Sequence, residues 1–332
     1  MKLLRKILLP IVPIYYLVTW LRNKLYDFDV KKSVSYDFPV ICVGNLSAGG
    51  TGKTPMIEYL INLLKDDYKV ATLSRGYKRK TRGFQLANKN SNAESIGDEP
   101  FQFYSKFNNE ILVAVDADRR NGIQNLLQEN PEVILLDDAL QHRKVKAGFN
   151  ILLTTYANPY FNDMVLPTGN LREPRIGAKR ANIIVVTKCP ITLSTSEKRD
   201  FIIQIKPEKH QHVFFSSIRY SDSLFSAKES KAIDKLEPFT LVTGIANSTL
   251  LVDFLKGKNL NFEHLNFKDH HDFTEEDIST LNKKELIVTT EKDFMRLKQY
   301  ESLKGKLFYL PITVSIDEAS KMNQLIKDFV KY

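Results

Sequence analysis

The feature that most constrains this sequence is a glycine-rich loop between a strand-like run and a helix-like run. The loop GNLSAGGTGKTP, residues 44–55, follows PVICV and precedes MIEYLINLLK. A strand, a glycine-rich turn and Lys-Thr at a helix start present backbone N–H groups to phosphates. We therefore expect Lys53 to reach the β and γ phosphates of ATP and Thr54 to bind Mg²⁺. The residues predicted to contact the nucleotide are Ser47, Ala48, Gly49, Gly50, Thr51, Gly52, Lys53 and Thr54.

The loop departs from the usual pattern GxxxxGK[ST] at one position. The pattern requires a glycine five residues before the second glycine, and this chain has Ser47 there. The alternative is a glycine-rich turn with a chance GKT. The strand before the loop and the helix after it favour the phosphate site.

Short apolar runs alternate with helical stretches from residue 39 onward, in a chain of 332 residues. Runs that are apolar throughout are typical of strands covered on both faces of a mostly parallel sheet. The runs are PVICVG, KVATLS, ILVAV, EVILLDD, NILLTT and NIIVVTK. They predict an α/β fold, a P-loop NTPase-like doubly wound mostly parallel sheet with a second, smaller α/β domain. The predicted divisions are a membrane-associating helix over 1–26, a P-loop domain over 27–220, a linker over 221–238 and the smaller C-terminal α/β domain over 239–332.

Two acidic residues end the apolar run EVILLDD. Carboxylates at the carboxyl end of a parallel strand face the ligand crevice, where they can hold magnesium or its waters. Paired acids at a strand end are also common as solvated turn residues. Beside the phosphate loop, Asp137 and Asp138 are predicted metal ligands, and the sequence leaves open which of them binds directly.

The net charge indicates the class of partner, and the cysteine content bears on disulfides and structural zinc. The formal net charge is +9, with 48 Lys and Arg against 39 Asp and Glu, which favours anionic partners. The two cysteines, Cys42 and Cys189, each lie in an apolar run, so neither a disulfide framework nor a zinc site is expected.

The amino terminus is unusually apolar. After the basic start MKLLRK, residues 7–21 carry no charge, and Arg22 follows. A spanning helix needs roughly 20 apolar residues, and Pro10 and Pro13 interrupt this run. A signal peptide would need a small-residue cleavage site, which is missing. Two interpretations remain: a helix anchored in one leaflet with aromatic residues at headgroup depth, which we favour, and a helix packed on the protein's own core.

Taken together, the motifs resemble the tetraacyldisaccharide 4'-kinase family, which phosphorylates the lipid A precursor in Gram-negative bacteria. The resemblance spans nearly the whole chain and extends to Ser47, which the family also carries. A departure is Lys78, where a glycine is frequent. The motifs are GNLSAGGTGKTP, LSRGYKRKTRGF, GDEP, DADRR, LLDDALQHR, LPTGNLREP, FKDHHDFT and TTEKD.

The resemblance implies an enzyme that uses ATP and Mg²⁺ on a lipid-linked disaccharide. It further implies a site between two domains and a membrane-associating N-terminal helix at the cytoplasmic face of the inner membrane. It points to Asp98 as the base that accepts the sugar hydroxyl's proton, His270 as its partner and Glu99 as a metal or water ligand; His271 is the competing histidine. Residues expected to contact substrate or phosphate are Arg75, Arg119, Gln141, His142 and Arg172.

Two other functional classes were weighed. A P-loop NTPase switch predicts a guanine-reading NKxD sequence or metal-binding Cys/His clusters, and the nearest run, VVTKCP, has Cys189 where the carboxylate belongs. A nucleic-acid-binding protein predicts a recognisable module around the basic stretch 75–82, and none is found. We therefore expect neither nucleic acid nor an obligate protein partner.

Overall fold

The computed structural model describes residue 5, residues 7–226 and residues 228–331. Most of the basic start and Tyr332, which ends the predicted smaller domain, lie outside these residues. The strands are β1 Val40–Asn45, β2 Val70–Ser74, β3 Gln85–Leu86, β4 Leu112–Val115, β5 Val133–Asp137, β6 Phe149–Thr155, β7 Ile183–Thr187, β8 His212–Tyr220, β9 Ser223–Phe225, β10 Ser230–Ala232, β11 Phe239–Thr243, β12 Phe262–Asn266, β13 Ile287–Thr290, β14 Leu307–Leu310 and β15 Ile312–Ile316. The α-helices are α1 Val12–Asp27, α2 Lys53–Leu64, α3 Ala93–Ile96, α4 Asp98–Phe107, α5 Arg119–Leu126, α6 Thr195–Ile205, α7 Thr249–Gly257, α8 Glu275–Asn282, α9 Glu291–Leu297 and α10 Ala319–Lys331.

The larger sheet has nine strands in the order β15-β8-β7-β6-β1-β5-β2-β4-β3. Strands β8 to β4 in that order are parallel, and the edge strands β15 and β3 are antiparallel. The two faces of β1 enter separate cores, Cys42 on one side and Ile41 and Val43 on the other. The predicted doubly wound, mostly parallel sheet is confirmed.

The central position of β1 decides where the site forms. It pairs with β5 in the register Val43↔Asp137 and with β6 in the register Asn45↔Leu153. Parallel strands end at one edge of the sheet, so the loop after β1 and the acids that end β5 meet there.

The smaller sheet has six strands in the order β10-β9-β14-β13-β11-β12. The four strands β14 to β12 in that order are parallel, and β9 and β10 add an antiparallel edge. Its two cores contain Leu241, Val288 and Phe308 on one face and Val242 and Ile287 on the other.

The predicted domain limits need correction at both ends of the smaller unit. The predicted linker 221–238 contains β9 and β10, which pair within the smaller sheet. At the other end, β15 pairs with β8 of the larger sheet, and helix α10 follows it there. The reason is burial: Ile316, Met322, Ile326 and Val330 join the larger unit's core against α2. Residues from 312 onward therefore belong with the larger unit.

The chain passes between the two units twice, at adjacent points. It leaves β8 for β9 at residues 221–222 and returns from β14 to β15 at Pro311. The N–H of Ser221 donates to the carbonyl of Pro311 at 3.0 Å. None of the described helices has the length and apolar character needed to cross a membrane.

Candidate functional site

Helix α2 begins directly behind the phosphate loop. Its N-cap, Gly52, has φ 89°, in the left-handed region that favours glycine. Asn45 at the end of β1 donates from Nδ2 to Thr51 Oγ1 at 2.8 Å. The hydroxyl of Thr187 donates to the Thr51 carbonyl at 2.7 Å. These bonds fix the turn so that the N-terminus of α2, with Lys53 and its neighbour Thr54, points out of the sheet edge.

The first half of the loop is bound by a neighbouring segment. Ser47, in the position where a glycine is usual, forms a β-bridge with Leu171. The N–H of Ala48 donates to the carbonyl of Asn170 at 2.7 Å. In this conformation the N–H of Ala48 is occupied by protein and is not available to a phosphate.

Two lysines lie close to the glycine residues in the second half of the loop. Thr51 donates its N–H to the Gly49 carbonyl at 3.0 Å, and Gly49 has φ 128°. Lys188, which follows β7, donates from Nζ to the Gly50 carbonyl at 2.7 Å. Burial, followed by the charge of Lys53, lowers the pKa of Lys188. Two lysines therefore converge on this half of the loop, a favourable place for a polyphosphate.

Asp138 is engaged by two cations. The Arg172 guanidinium donates to both of its oxygens, at 3.0 Å to Oδ2 and 2.7 Å to Oδ1. Lys53 Nζ lies 3.8 Å from Oδ1. Burial alone would raise the pKa of Asp138, but Lys53 and Arg172 hold it below its usual range. Asp138 is thus an ionised group that orients the loop lysine and an arginine.

Asp137 differs from its neighbour because one of its oxygens has no partner. Ser74 at the end of β2 donates to Oδ2 at 3.2 Å, whereas Oδ1 is buried and unpaired. Burial and the nearby charge of Glu99 raise the pKa of Asp137. A buried carboxylate oxygen beside a like charge is stabilised by a cation, so the residues fit Mg²⁺. Within the described ranges, no group of three or more His, Cys, Asp or Glu side chains could hold a metal by itself.

The structure brings Asp98, the first residue of α4, to His270 of the smaller unit. His270 Nδ1 lies 3.2 Å from Asp98 Oδ2, and Lys292 Nζ lies 3.0 Å from His270 Nε2. Lysine and arginine side chains can only donate, so Nε2 faces a donor in Lys292, while Nδ1 faces both the Asp98 carboxylate and, at 2.9 Å, a terminal nitrogen of Arg296. Arg296 donates to the same Asp98 oxygen from Nε at 3.0 Å and from a terminal nitrogen.

The surroundings keep Asp98 ionised. Burial alone would raise its pKa, but hydrogen bonds from His270 and Arg296 hold the pKa of Asp98 well below its usual range. Glu99 beside it lies 3.7 Å from Lys292. The competing histidine, His271, is engaged elsewhere, 2.9 Å from Asp277 in a helix cap. Its position favours a structural role.

Lys78, at the position where the resemblance led us to expect a glycine, has a backbone conformation typical of glycine. Its φ is 61°, in the region that glycine prefers, and its Nζ donates to the His270 carbonyl at 3.1 Å. Arg75, at the end of β2, is exposed and free to meet an anionic ligand.

Arg119 does not lie where the sequence placed it. It was expected to touch a phosphate, but it is only 2% exposed. Its guanidinium donates to the carbonyl oxygens of Asp116 at 2.8 Å and Asp137 at 3.3 Å. The expectation is corrected, because Arg119 braces the ends of β4 and β5 from behind and cannot reach the crevice.

Gln141 and His142 follow the acidic pair. Gln141 donates from Nε2 to the Asn45 carbonyl at 2.9 Å and to Glu173 at 2.8 Å. In this conformation Gln141 therefore links the phosphate loop to Glu173. Burial, followed by the charge of Arg119, lowers the pKa of His142, so its imidazole is neutral near pH 7.

A crevice of about 220 Å³ lies between the two units, next to the phosphate loop. The phosphate loop and α2 form one wall, and Asp269, Glu291 and Lys292 of the smaller unit form another. Much of its apolar lining comes from β8, β14, β15, the loop after β11 and the start of α7, and it is suited to a nucleobase. The apolar residues of these elements include Ile218, Tyr220, Ile245, Leu250, Leu251, Leu310, Ile312 and Val314.

Several residues of the site were missed by reasoning from the sequence. Asn45, Glu173 and Lys292 lie inside motifs that carried the family resemblance, so the motifs themselves were the available signal. Lys188 was weighed only as part of a failed guanine motif. Arg296 follows no local pattern that would mark it.

Comparison with known proteins agrees with this geometry. A family model described as tetraacyldisaccharide-1-P 4'-kinase matches residues 4–331. The protein named tetraacyldisaccharide 4'-kinase in Flavobacterium johnsoniae is 52% identical over 339 residues, covering 100% of this chain and 98% of that protein. The one so named in Phocaeicola vulgatus is 44% identical, covering 99% and 96%. The crystal structure of LpxK from Aquifex aeolicus in complex with ATP superimposes with TM-score 0.79 at 32% identity, covering 98% and 99%.

Proposed function

The chain belongs to the tetraacyldisaccharide-1-P 4'-kinase family, and we propose that its phosphoryl transfer uses Asp98 as the base and the phosphate loop as the nucleotide cradle. The protein is an ATP-dependent kinase that phosphorylates the 4'-hydroxyl of the tetraacyl-disaccharide 1-phosphate precursor in lipid A biosynthesis. The observation that carries the proposal is the meeting of Asp98 with His270 beside the crevice that the loop lines.

Nucleotide binding falls to the residues at the start of α2. Lys53 and Lys188 supply positive charge for the phosphates, and the helix N-terminus adds its dipole. The apolar crevice lining receives the base. Mg²⁺, when bound, would be held by Asp137 with Thr54, and by Glu99 directly or through water, and it would supply charge neutralisation for the phosphates.

Asp98 receives the proton of the attacking hydroxyl. The oxygen–phosphorus bond forms as the bond to the leaving ADP oxygen breaks, and the hydroxyl proton passes to the carboxylate. A loose transition state requires mainly positioning and charge neutralisation, so a weakly basic carboxylate suffices. His270 contacts Asp98 through Nδ1 and helps to keep its orientation, and Lys292 and Arg296 position the His270 ring.

The acceptor lipid approaches from the side of α1. One side of the helix binds the protein: Tyr15 donates to the Arg172 carbonyl at 3.0 Å and Asn23 donates to Glu173 at 2.6 Å. The other side exposes apolar side chains, with Ile14 64%, Leu17 58% and Val18 60% exposed. An apolar face flanked by cations suits the boundary between headgroups and acyl chains.

This arrangement combines the two interpretations of the amino terminus. The helix packs on the protein through Tyr15, one of the aromatic residues of the apolar run, and keeps a second face for lipid. We place the protein at the cytoplasmic face of the inner membrane, where ATP and the lipid-linked disaccharide meet.

The chemical proposal is tested by transfer of labelled γ phosphate from ATP to a disaccharide 1-phosphate lipid in detergent micelles with Mg²⁺. Lys53→Ala, Asp98→Asn and His270→Ala are each expected to lower transfer by on the order of 10²-fold or more. Full transfer by Asp98→Asn would place the base elsewhere. Hydrolysis of ATP without a lipid product would favour the NTPase switch.

The membrane proposal is tested by sedimentation with anionic liposomes. The triple substitution Ile14→Ser, Leu17→Ser and Val18→Ser should reduce the bound fraction several-fold, since each buried CH₂ contributes about 0.8 kcal/mol. Ile203→Ser is the control, because Ile203 is 61% exposed on a different helix, α6. Equal binding by the triple variant and the parent would refute α1 as the anchor.

A further inference from the structure

Helices α4 and α9 form a direct joint between the two units. Four polar contacts cross it. Asp98 meets Arg296 at one end, Lys292 Nζ lies 3.7 Å from Glu99, Ser105 accepts from Lys298 Nζ at 3.0 Å, and Lys106 pairs with Glu291 at 3.0 Å. The proposed base is therefore the first residue of a helix whose partner belongs to the other unit.

Arg296 is the most buried of the basic residues in this joint, at 8% exposed. Its guanidinium contacts a carboxylate on each side: Asp98 of the larger unit, and Asp293 at 3.5 Å in the smaller unit. Asp293 is fully buried and is itself fixed, since the N–H of Gly244 donates to it at 2.8 Å and Thr290 donates to it at 2.7 Å. Arg296 is thus anchored from behind before it reaches Asp98.

The contacts that Arg296 and His270 make with Asp98 all fall on one of its two oxygens. Oδ2 of Asp98 receives two guanidinium N–H groups from Arg296 and lies 3.2 Å from Nδ1 of His270. In the part of the chain that the structure describes, no group donates to Oδ1, which remains accessible to solvent. Two N–H groups of one planar guanidinium fix the position of Oδ2 more firmly than one donor can, and they leave Oδ1 as the free oxygen.

From this geometry we infer that Arg296 is a positioning residue for the kinase reaction: it orients Asp98 from the smaller unit so that Oδ1 is presented to the 4'-hydroxyl. The inference rests on the proposed role of Asp98 as the base. It adds that the orientation of the base depends on the smaller unit being docked against α4. The contact with Nδ1 of His270 is a single one, so by itself it would leave the carboxylate free to rotate about it.

Substitution of Arg296 should mainly lower kcat. A misplacement of the base by about 1 Å costs on the order of 10²-fold in rate. In Arg296→Met, kcat should drop by about that factor while KM for ATP changes less than about twofold, because Arg296 is absent from the crevice lining. Arg296→Lys keeps the charge but has no planar fork, so its kcat should lie between those of Arg296→Met and the parent.

Lys298→Met is the matched control. Lys298 also crosses the joint from the smaller unit, with Nζ 4.4 Å from the centre of the Phe101 ring, and it does not contact Asp98. It should lower kcat by no more than about threefold. Thermal unfolding of each variant, followed by circular dichroism, shows whether the fold is retained.

The full-length parent and all variants are assayed together with Asp98→Asn. If Asp98→Asn is inactive and Arg296→Met loses kcat far more than Lys298→Met, the inference is supported. If Asp98→Asn is inactive but Arg296→Met matches Lys298→Met, the inference is overturned and the proposed base stands. If the loss in Arg296→Met is entirely in KM for ATP, or if Asp98→Asn retains the parent's kcat, the inference is likewise overturned. If Arg296→Met does not fold, the test rests on Arg296→Lys. A kcat of Arg296→Lys equal to that of the parent would then overturn the inference.

Discussion

A buried pair of carboxylates behind the crevice leads to a prediction about stability and pH. Glu58 on α2 and Glu291 at the start of α9 are 6% and 7% exposed. A single cation, Lys106, lies between them, 2.7 Å from Glu58 and 3.0 Å from Glu291. One lysine can neutralise one carboxylate, so the second is held near a like charge. Burial, followed by the charge of Glu291, raises the pKa of Glu58 to about 7.

The size of the effect follows from this shift. In the unfolded chain Glu58 ionises near its ordinary value of 4.5, whereas in the fold it stays protonated up to about 7. One pKa unit corresponds to about 1.4 kcal/mol, so ionised Glu58 costs the fold about 3 kcal/mol. Between these two pKa values the folded state binds more protons, and stability falls as pH rises. The cost is absent below about pH 4.5 and complete above about pH 7.

Glu58→Gln removes the ionisation and keeps the side-chain size. We expect the free energy of unfolding of the variant, relative to the parent, to increase by about 3 kcal/mol between pH 4.5 and pH 8. Urea unfolding followed by circular dichroism at several pH values measures this difference. An unfavourable contact between the new amide and Lys106 would add a constant offset, which leaves the pH dependence unchanged.

Glu110→Gln serves as the control, because Glu110 also pairs with a lysine, Lys65, but its side chain is 54% exposed. Exposed pairs contribute little, so its difference from the parent should be nearly independent of pH. A Glu58→Gln difference that changes by less than about 1 kcal/mol over the same range would refute the reasoning.

Three further outcomes are expected. Gly52→Ala should cost about 1–2 kcal/mol of stability in urea unfolding, because φ is 89° while the added Cβ has room 3.9 Å from Thr187; no loss would mean the turn can relax. Ile326→Ala should cost about 2–5 kcal/mol, since this side chain of α10 is fully buried against the larger unit, and a near-neutral value would contradict the docking of α10 there. Arg172→Met should lower transfer of labelled phosphate on the order of 10²-fold, since Asp138 loses both hydrogen bonds; an unchanged kcat would remove Arg172 from the site.

The parts of the fold that the sequence predicted are local. The run PVICV, the glycine-rich turn and Lys53 at a helix start are contiguous, and each residue's conformational preference points to the same structure. Asp137 could be assigned to the same edge because parallel strands end together, whatever their order in the sheet. The roles of Asp98 and His270 came from motifs that resemble a family, and the structure brings these two side chains together.

The parts that only the tertiary structure decided involve distant segments. Residues from 312 onward have an ordinary strand and helix pattern, which gives no sign of which unit will bury it. Their return to the larger sheet depends on the apolar surface that α2 and β8 leave uncovered. Arg119 has the chemistry of a phosphate-binding residue, and it became a buried brace because its guanidinium reaches the carbonyls at the ends of β4 and β5, two strands on either side of β2.

Arg296 shows the physical reason most clearly. It lies 198 residues from Asp98, and its charge is oriented by Asp293 and Asp98 only after two units have folded and docked. Hydrophobic periodicity and turn residues report conformational preferences over a few neighbouring residues. A hydrogen bond between units depends on the placement of two whole sheets. The sequence by itself therefore determined the elements and the phosphate loop, and tertiary packing decided which distant charges complete the site.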